Sequence, residues 1–193
     1  MTYTELVAQV AAFSHRADLA SLMPTFVGLA EDKLNRALRV RQMEEALPVT
    51  AIDAFNEVAL PSDFLAMKHL WATDYPQARL KPQTLEAIVS RNRFDGTPTA
   101  YAVTGSALKF DGSGDVQGVY FKRLPSLVSN STNWLSEAHP DAYLWATLEA
   151  LSSYTLDAGQ GALFSAKAGE AVQGIQGADM RDRFSGQLTA SVR

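Results

Sequence analysis

The stretch that decides the fold is Asn133 to Leu156, NWLSEAHPDAYLWATLEALSSYTL. It reads as the lead-in to a long helix that is apolar almost all the way round. Tyr143, Thr147, Ala150 and Tyr154 form one row at helical spacing, and Leu144, Leu148, Leu151 and Thr155 form the next. Trp145 and Ala146 widen the apolar zone further. A surface helix shows one apolar stripe, whereas a helix apolar on most sides is buried. Pro140 suits the first helical position, where its missing N–H is not needed, and Asp141 in the first turn favours a helix N-terminus. The rest of the chain, or a neighbouring subunit, must therefore wrap this helix. Tyr143, Trp145 and Tyr154 cannot all face one intramolecular core, so at least one of them is expected on the surface.

Outward from there the chain offers other helices at both ends. Thr4 to Phe13 is a short helix, with Leu6, Val7, Val10 and Phe13 at helical spacing and Thr2 or Thr4 as cap. After a turn at His15 to Asp18, Pro24 to about Val40 forms a second helix with Phe26, Val27, Ala30, Leu34, Ala37 and Leu38 on its apolar row. Its polar row permits an Asp32–Arg36 pair. At the other end, Asp157 to Gly161 reads as a loop and Ala162 to about Phe184 as a closing helix. The interior glycines Gly169, Gly174 and Gly177 each cost that helix about 1 kcal/mol relative to alanine. They imply a weak helix or one packed very closely against something. The tail beyond Phe184 has little to pack.

Between these ends the period changes. Met43 to Thr50, Asn56 to Leu60, Phe64 to Ala72 and Arg79 to Pro82 are short and extended, punctuated by Pro48, Asp53 and the Pro61-Ser62-Asp63 corner. Thr84 to Asn92 is a helical turn or two. Tyr101 with Val103, Leu108 with Phe110, and Val119 with Phe121 alternate across two Gly-containing loops, which predicts an antiparallel meander. The fold class is α+β: terminal helices forming a small bundle, with a central antiparallel β-rich insertion. The divisions are 1–41, a helical pair; 42–132, the insertion; 133–184, the long and closing helices; and 185–193, a flexible tail.

Composition excludes several classes. A net charge of -4 argues against a general nucleic-acid binder, and the absence of cysteine excludes disulfides and thiolate chemistry. No apolar run approaches the roughly 20 residues of a membrane span, and the N-terminus lacks the basic and apolar regions of a signal peptide. A soluble protein, made in the cytoplasm or built into something assembled there, is expected. His15, His69 and His139 stand at no metal-ligand spacing. Asp111 to Asp115 begins like a calcium loop, but Val116 and Lys122 occupy the positions where the EF-hand needs Gly and Glu, so a flexible hairpin loop is expected. Glu137 and Asp141 at i,i+4 are the carboxylate pair that the alternative reading, a tail-associated cell-wall hydrolase, would use. A glycan- or protein-binding β-module presenting Tyr101, Phe110, Tyr120 and Phe121 is a further alternative. No catalytic residue, metal site or cofactor is assigned. Arg36, Arg39 and Arg41 cluster at the end of the second helix, where they suit either the helix dipole or an acidic partner.

Several stretches stand together in a familiar order: Tyr3-Thr-Glu-Leu, Leu29-Ala-Glu-Asp-Lys-Leu-Asn-Arg-Ala-Leu-Arg-Val-Arg, Leu60-Pro-Ser-Asp-Phe-Leu, Gly96-Thr-Pro-Thr-Ala-Tyr, Asn133-Trp-Leu and Pro140-Asp-Ala-Tyr-Leu-Trp-Ala-Thr-Leu-Glu-Ala. From about residue 3 to residue 157 the set resembles the head-to-tail adaptor (connector, or head-completion) proteins of tailed bacteriophages and phage-like particles. The resemblance implies a structural virion protein, not an enzyme. It implies a homo-oligomeric ring, usually a dodecamer, beneath the portal protein, extending the DNA ejection channel and offering a surface to a tail or nozzle protein. Genomic DNA would pass without sequence-specific binding, and no membrane is involved. It also implies a C-terminal segment, here about Arg181 to Arg193, that orders against the portal. The residues expected to meet the portal or a neighbouring subunit are Tyr143, Trp145, Tyr154, Arg36, Arg39, Arg41, Arg181, Arg183, Phe184 and Arg193.

Overall fold

In a computed structural model, which describes residues 1–91 and 96–184, the decisive stretch folds as two helices. These are α4, Trp134–Ala138, and α5, Pro140–Tyr154, separated at His139 (φ -137°, ψ 63°). Asn133 caps α4 reciprocally with Ser136. In α5 the buried set runs over most of the circumference: Ala142, Tyr143, Leu144, Ala146, Thr147, Leu148 and Leu151. Its wrapping comes from its own chain, chiefly α6 (Ala158–Phe184) and α2 (Met23–Ala37), and then α1 (Tyr3–Ser14).

Local chemistry explains each helix. Thr2 caps α1 with Glu5 returning to the Thr2 N–H at 2.8 Å, a capping box. Asp18 does not cap the 3-10 turn Ala17–Leu22; its carboxylate takes the Arg16 guanidinium at 2.7 Å instead. α2 stops at Ala37, short of the expected Val40, because Leu38 turns extended and buries its side chain completely, with Val40 buried two positions on. The expected Asp157–Gly161 loop is instead the start of α6. Asp157 Oδ1 accepts the Gln160 N–H at 3.0 Å, and two glycines follow inside the first turn. Nothing lies within 4 Å of a Cβ placed on Gly169, Gly174 or Gly177, so these glycines mark no close packing within the chain.

The chain divides into two compact units, Met1–Gln42 with the chain from Leu124 onward, and Met43–Arg123. The second unit holds β1 (Glu44–Ala51), β2 (Glu57–Ala59), β3 (Phe64–Ala72), β4 (Lys81–Pro82), α3 (Leu85–Ser90), β5 (Ala100–Val103), β6 (Ala107–Phe110) and β7 (Asp115–Lys122). One sheet has the order β1-β7-β3 and is antiparallel; the other runs β2-β6-β5-β4, with β4 parallel to β5. The expected three-stranded meander is therefore wrong. β5 and β6 pair, but β7 leaves them and fills the centre of the other sheet.

The reason lies in the loop between β6 and β7. Asp111 is not a loop-tip residue but a buried clamp. Its carboxylate accepts the N–H groups of Thr99 at 2.8 Å and Ala100 at 2.9 Å, the Thr99 hydroxyl at 2.7 Å, and Arg91 at 3.1 Å. Burial opposes its ionisation, but these bonds outweigh burial and hold Asp111 below the usual carboxylate range. Gly112 sits so close that an added Cβ would lie 2.4 Å from the Gly96 carbonyl oxygen. The chain is thereby held against the start of β5 and does not fold straight back on β6. β7 carries Gly118 where a Cβ would stand 2.4 Å from the His69 carbonyl oxygen, which allows β3 to lie tight beside it. Leu47, Val58, Leu70, Leu108, Phe110, Val116 and Tyr120 form the core shared by the two sheets. Helices at both ends of the chain, with antiparallel and mixed sheets between them, make the fold α+β, as the sequence predicts.

Candidate interaction surface

Tyr143 lies inside, not on the surface. Its side chain is fully buried, and its hydroxyl receives the Asn133 amide at 2.6 Å and donates to Glu31 Oε1 at 3.4 Å. Burial raises the phenol pKa well above its ordinary value. Glu31 is itself buried and also accepts the Leu127 N–H at 2.6 Å, while Asn35 one turn on accepts the Leu124 N–H at 2.9 Å. Asn133 closes the set by donating to the Pro125 carbonyl at 2.8 Å. Three side chains, Glu31, Asn35 and Asn133, thus satisfy the backbone of the segment by which the chain re-enters the helical unit, and Tyr143 links Glu31 to Asn133. Burial dominates at Glu31 and raises its pKa, with the accepted hydrogen bonds pulling the other way.

Trp145 and Tyr154 occupy different settings. Trp145 is half-buried: Phe13 meets it edge-on at 5.7 Å, Phe164 stacks at 6.0 Å, and the Lys167 ammonium lies 5.2 Å from the ring centre. Tyr154 packs one side on Phe26 at 5.5 Å and is otherwise 57% exposed. Leu156 follows at 89% exposed with φ +57°. The Asp157 N–H bonds the Ser152 carbonyl at 3.0 Å, so α5 ends in a Schellman turn with leucine in the left-handed position that glycine favours. Phe13 and Leu163 add further exposed apolar surface in the same unit. A cleft of about 420 Å³ lies where α1 ends and α6 begins, lined by Phe13, Arg16, Leu151, Thr155, Gln160 and Phe164.

The basic residues divide into engaged and free. Arg39 donates to the carbonyls of Asn35 and Leu38. Arg41 donates to Asp179 at 2.8 Å and Asp182 at 2.7 Å, and Arg183 donates to Asp179 at 2.6 Å. Burial works against ionisation of Asp179, but the bonds from Arg183 and Arg41 hold its pKa below the ordinary value. Gln176 donates to the Ala37 carbonyl at 2.8 Å, so the end of α6 is tied to the end of α2. Arg181 to Phe184 are the last turn of α6, which ends at Phe184 as the closing-helix reading has it, and not part of the flexible segment that the resemblance starts at about Arg181. Arg36 and Arg181 are exposed and in no ion pair among the described residues; Asp32 does not pair with Arg36. Phe184 is 54% exposed, and Arg193 lies outside the described residues. The sequence reading missed Asp179 and Asp182; the i,i+4 spacing of Asp179 and Arg183 was the available signal.

Glu137 and Asp141 are exposed on two different helices broken at His139, so they do not share the one helical face that the hydrolase alternative requires. Tyr101, Phe110 and Tyr120 are buried core, not a glycan platform. No group of residues suited to a metal ion occurs among the described residues, and none of their helices is long and apolar enough to cross a membrane. Against known families, residues 1–191 match the model of the SU10 adaptor protein. No curated protein matches the sequence.

Proposed function

The chain belongs to the SU10 adaptor protein family, and from that premise we propose that it is a structural component of a phage-like virion, a ring-forming adaptor joining the portal to the tail and extending the DNA channel. The observation that carries this reading is the extent of the family match, residues 1–191, which covers both units. The helical unit supports it. A monomer has no use for a leucine that is 89% exposed in a backbone conformation favouring glycine, and Tyr154 and Leu163 are exposed in the same unit. Local rules broken without a fold benefit point to a contact made elsewhere. Leu156, Tyr154 and the open side of Trp145 are the apolar part of the proposed contact with a neighbouring subunit. Arg36, Arg181 and Phe184 are its portal-facing part. Arg39, Arg41 and Arg183 shape that surface by holding the ends of α2 and α6 in place.

Light scattering on the full chain, with and without purified portal rings, tests the reading. A monomer or small oligomer alone that becomes a ring on the portal supports it, with a complex mass matching a closed set of copies, twelve by resemblance. An unchanged mass and an unshifted portal peak would refute it.

A further inference from the structure

In the β-rich unit most cations are neutralised at close range. Lys68 pairs with Glu44, Arg91 with Asp111, Lys109 with Glu57 and Lys122 with Glu45. Among its described residues, Arg79, Lys81 and Arg123 are in no ion pair. Two of these three stand together. Arg79 bridges to Trp71 and Lys81 pairs with Ala100, so both are held in extended backbone. Leu80 between them is buried while they are exposed, which puts both cations on one side of the strand. Both line a cleft of about 470 Å³ with Tyr75, Ala72, Pro98 and Thr99, and among the described residues no carboxylate lines it. Tyr75 at its rim is 61% exposed. The positive field reaches into the sheet: burial first, then Arg79 and Lys68, hold His69 below its ordinary pKa.

Residues two apart on a strand are separated by roughly 7 Å, comparable to the spacing of adjacent phosphates along one DNA strand. We infer that Arg79 and Lys81 form a phosphate-contact strap, with Tyr75 beside it, that touches the backbone of duplex DNA passing the protein. This rests on the DNA-channel reading above. The chemistry suits passage better than capture. Two cations per subunit give weak, sequence-independent contact, and the overall negative charge of -4 opposes anything tighter. Asp74, in the same β3–β4 connection, is the nearest carboxylate in sequence and should weaken the contact.

The test is a titration of the full chain, isotope-labelled for NMR, with a short DNA duplex at low ionic strength. Amide shifts are expected at Tyr75, Arg79, Lys81 and Thr97. Two phosphate contacts predict that a tenfold rise in salt weakens binding by about sixtyfold. Arg79→Ser with Lys81→Ser should abolish the shifts at Tyr75 and Thr97, and Asp74→Asn should strengthen them; all three side chains are exposed, so the fold is retained. Silent amides at these positions, or shifts that survive the double substitution, overturn the inference. Equal shifts with polyglutamate would make the cleft an acidic-protein contact and overturn it as well. The ring reading fails on its own terms, through the scattering mass with portal, which this titration does not measure.

Discussion

Replacing Glu31 separates two effects that the wild-type carboxylate combines. The side chain is only 7% exposed, accepts the Leu127 N–H at 2.6 Å and the Tyr143 hydroxyl at 3.4 Å, and among the described residues has no cation in an ion pair with it. Burial raises its pKa from the ordinary 4.5, with Asp32 adding in the same direction. The sign follows from proton binding. Between the ordinary pKa and the raised one, the folded state holds more protons than the unfolded state, so stability falls as pH rises through that window. Above it, the whole cost of the buried charge is present. Glu31→Gln keeps an amide oxygen for Leu127 and removes the charge. It should be more stable than wild type at pH 8, and the fall in stability from about pH 4.5 upward should flatten. Glu31→Ala removes the acceptor too and strands two buried donors, at about 1–3 kcal/mol each. A loss of roughly 2–6 kcal/mol in the helical unit is expected at about pH 4.5, the low end of the series, where the wild-type charge cost is smallest. Urea unfolding followed by far-UV dichroism and tryptophan fluorescence, at intervals from pH 4.5 to 8.5, reads both. A Glu31→Gln chain that is less stable than wild type at pH 8, with the wild-type pH slope intact, would refute the argument, because the carboxylate would then be favourably ionised.

The other perturbations reach different links. Asp179 has a lowered pKa, so its contribution is present above the unfolded pKa and lost as pH falls through the folded one; Asp179→Asn should flatten the acid limb of the stability profile and loosen amide-exchange protection at the end of α6. Arg41 is 42% exposed at its side chain, where solvent screens its ion pairs, so Arg41→Ala should lower the urea midpoint less than Asp179→Asn does. Gly118→Ala drives a methyl into the His69 carbonyl and should cost the β-rich unit roughly 1–3 kcal/mol, seen as a lower melting temperature. Leu156→Gly relieves the left-handed leucine and should raise monomer stability by about 1 kcal/mol while lowering ring yield on the portal. A variant less stable than wild type would show that Leu156 supports the fold.

The helical unit was legible because its signal is local. The apolar rows of α5, the Pro140 start and the Thr2 box all rest on residues within one or two turns of each other. The sheet order was not legible, because it turns on contacts distant in sequence. Asp111 reads as half of a loop motif until its partners Thr99, Ala100 and Arg91 are known, and those bonds decide that β7 leaves β6. The same limit explains the surface residues. Arg41 looked available for a partner because Asp179 lies 138 positions away. Tyr143 looked like one aromatic among three, and only Glu31, 112 positions back, makes it the buried one.

That distinction bears on where partner recognition is encoded. Glu31 and Asn35 belong to the second-helix stretch that carries the family resemblance, and Asn133 and Tyr143 to two later ones. Glu31, Tyr143 and Asn133 are bonded in series, and with Asn35 they engage the backbone at Leu124, Pro125 and Leu127 while Asn133 caps α4. A buried, fully bonded polar network specifies one arrangement of the chain and offers nothing to a partner. The stretches that make the sequence recognisable are therefore, at these positions, the stretches that make it fold. Most of the residues left facing solvent with unspent chemistry, Leu156, Arg181 and Phe184 in the helical unit and Tyr75, Arg79 and Lys81 after β3, stand outside those stretches; Arg36 and the open side of Trp145 stand within them. Exchanging the exposed residues of α6 between two adaptors should therefore move portal preference without moving the unfolding midpoint, whereas exchanging Glu31, Asn35, Asn133 and Tyr143 piecemeal should do the reverse. Portal pull-down and urea unfolding on the same chimaeras distinguish the two outcomes. Portal preference that follows the buried four would place recognition in the fold itself and end this argument.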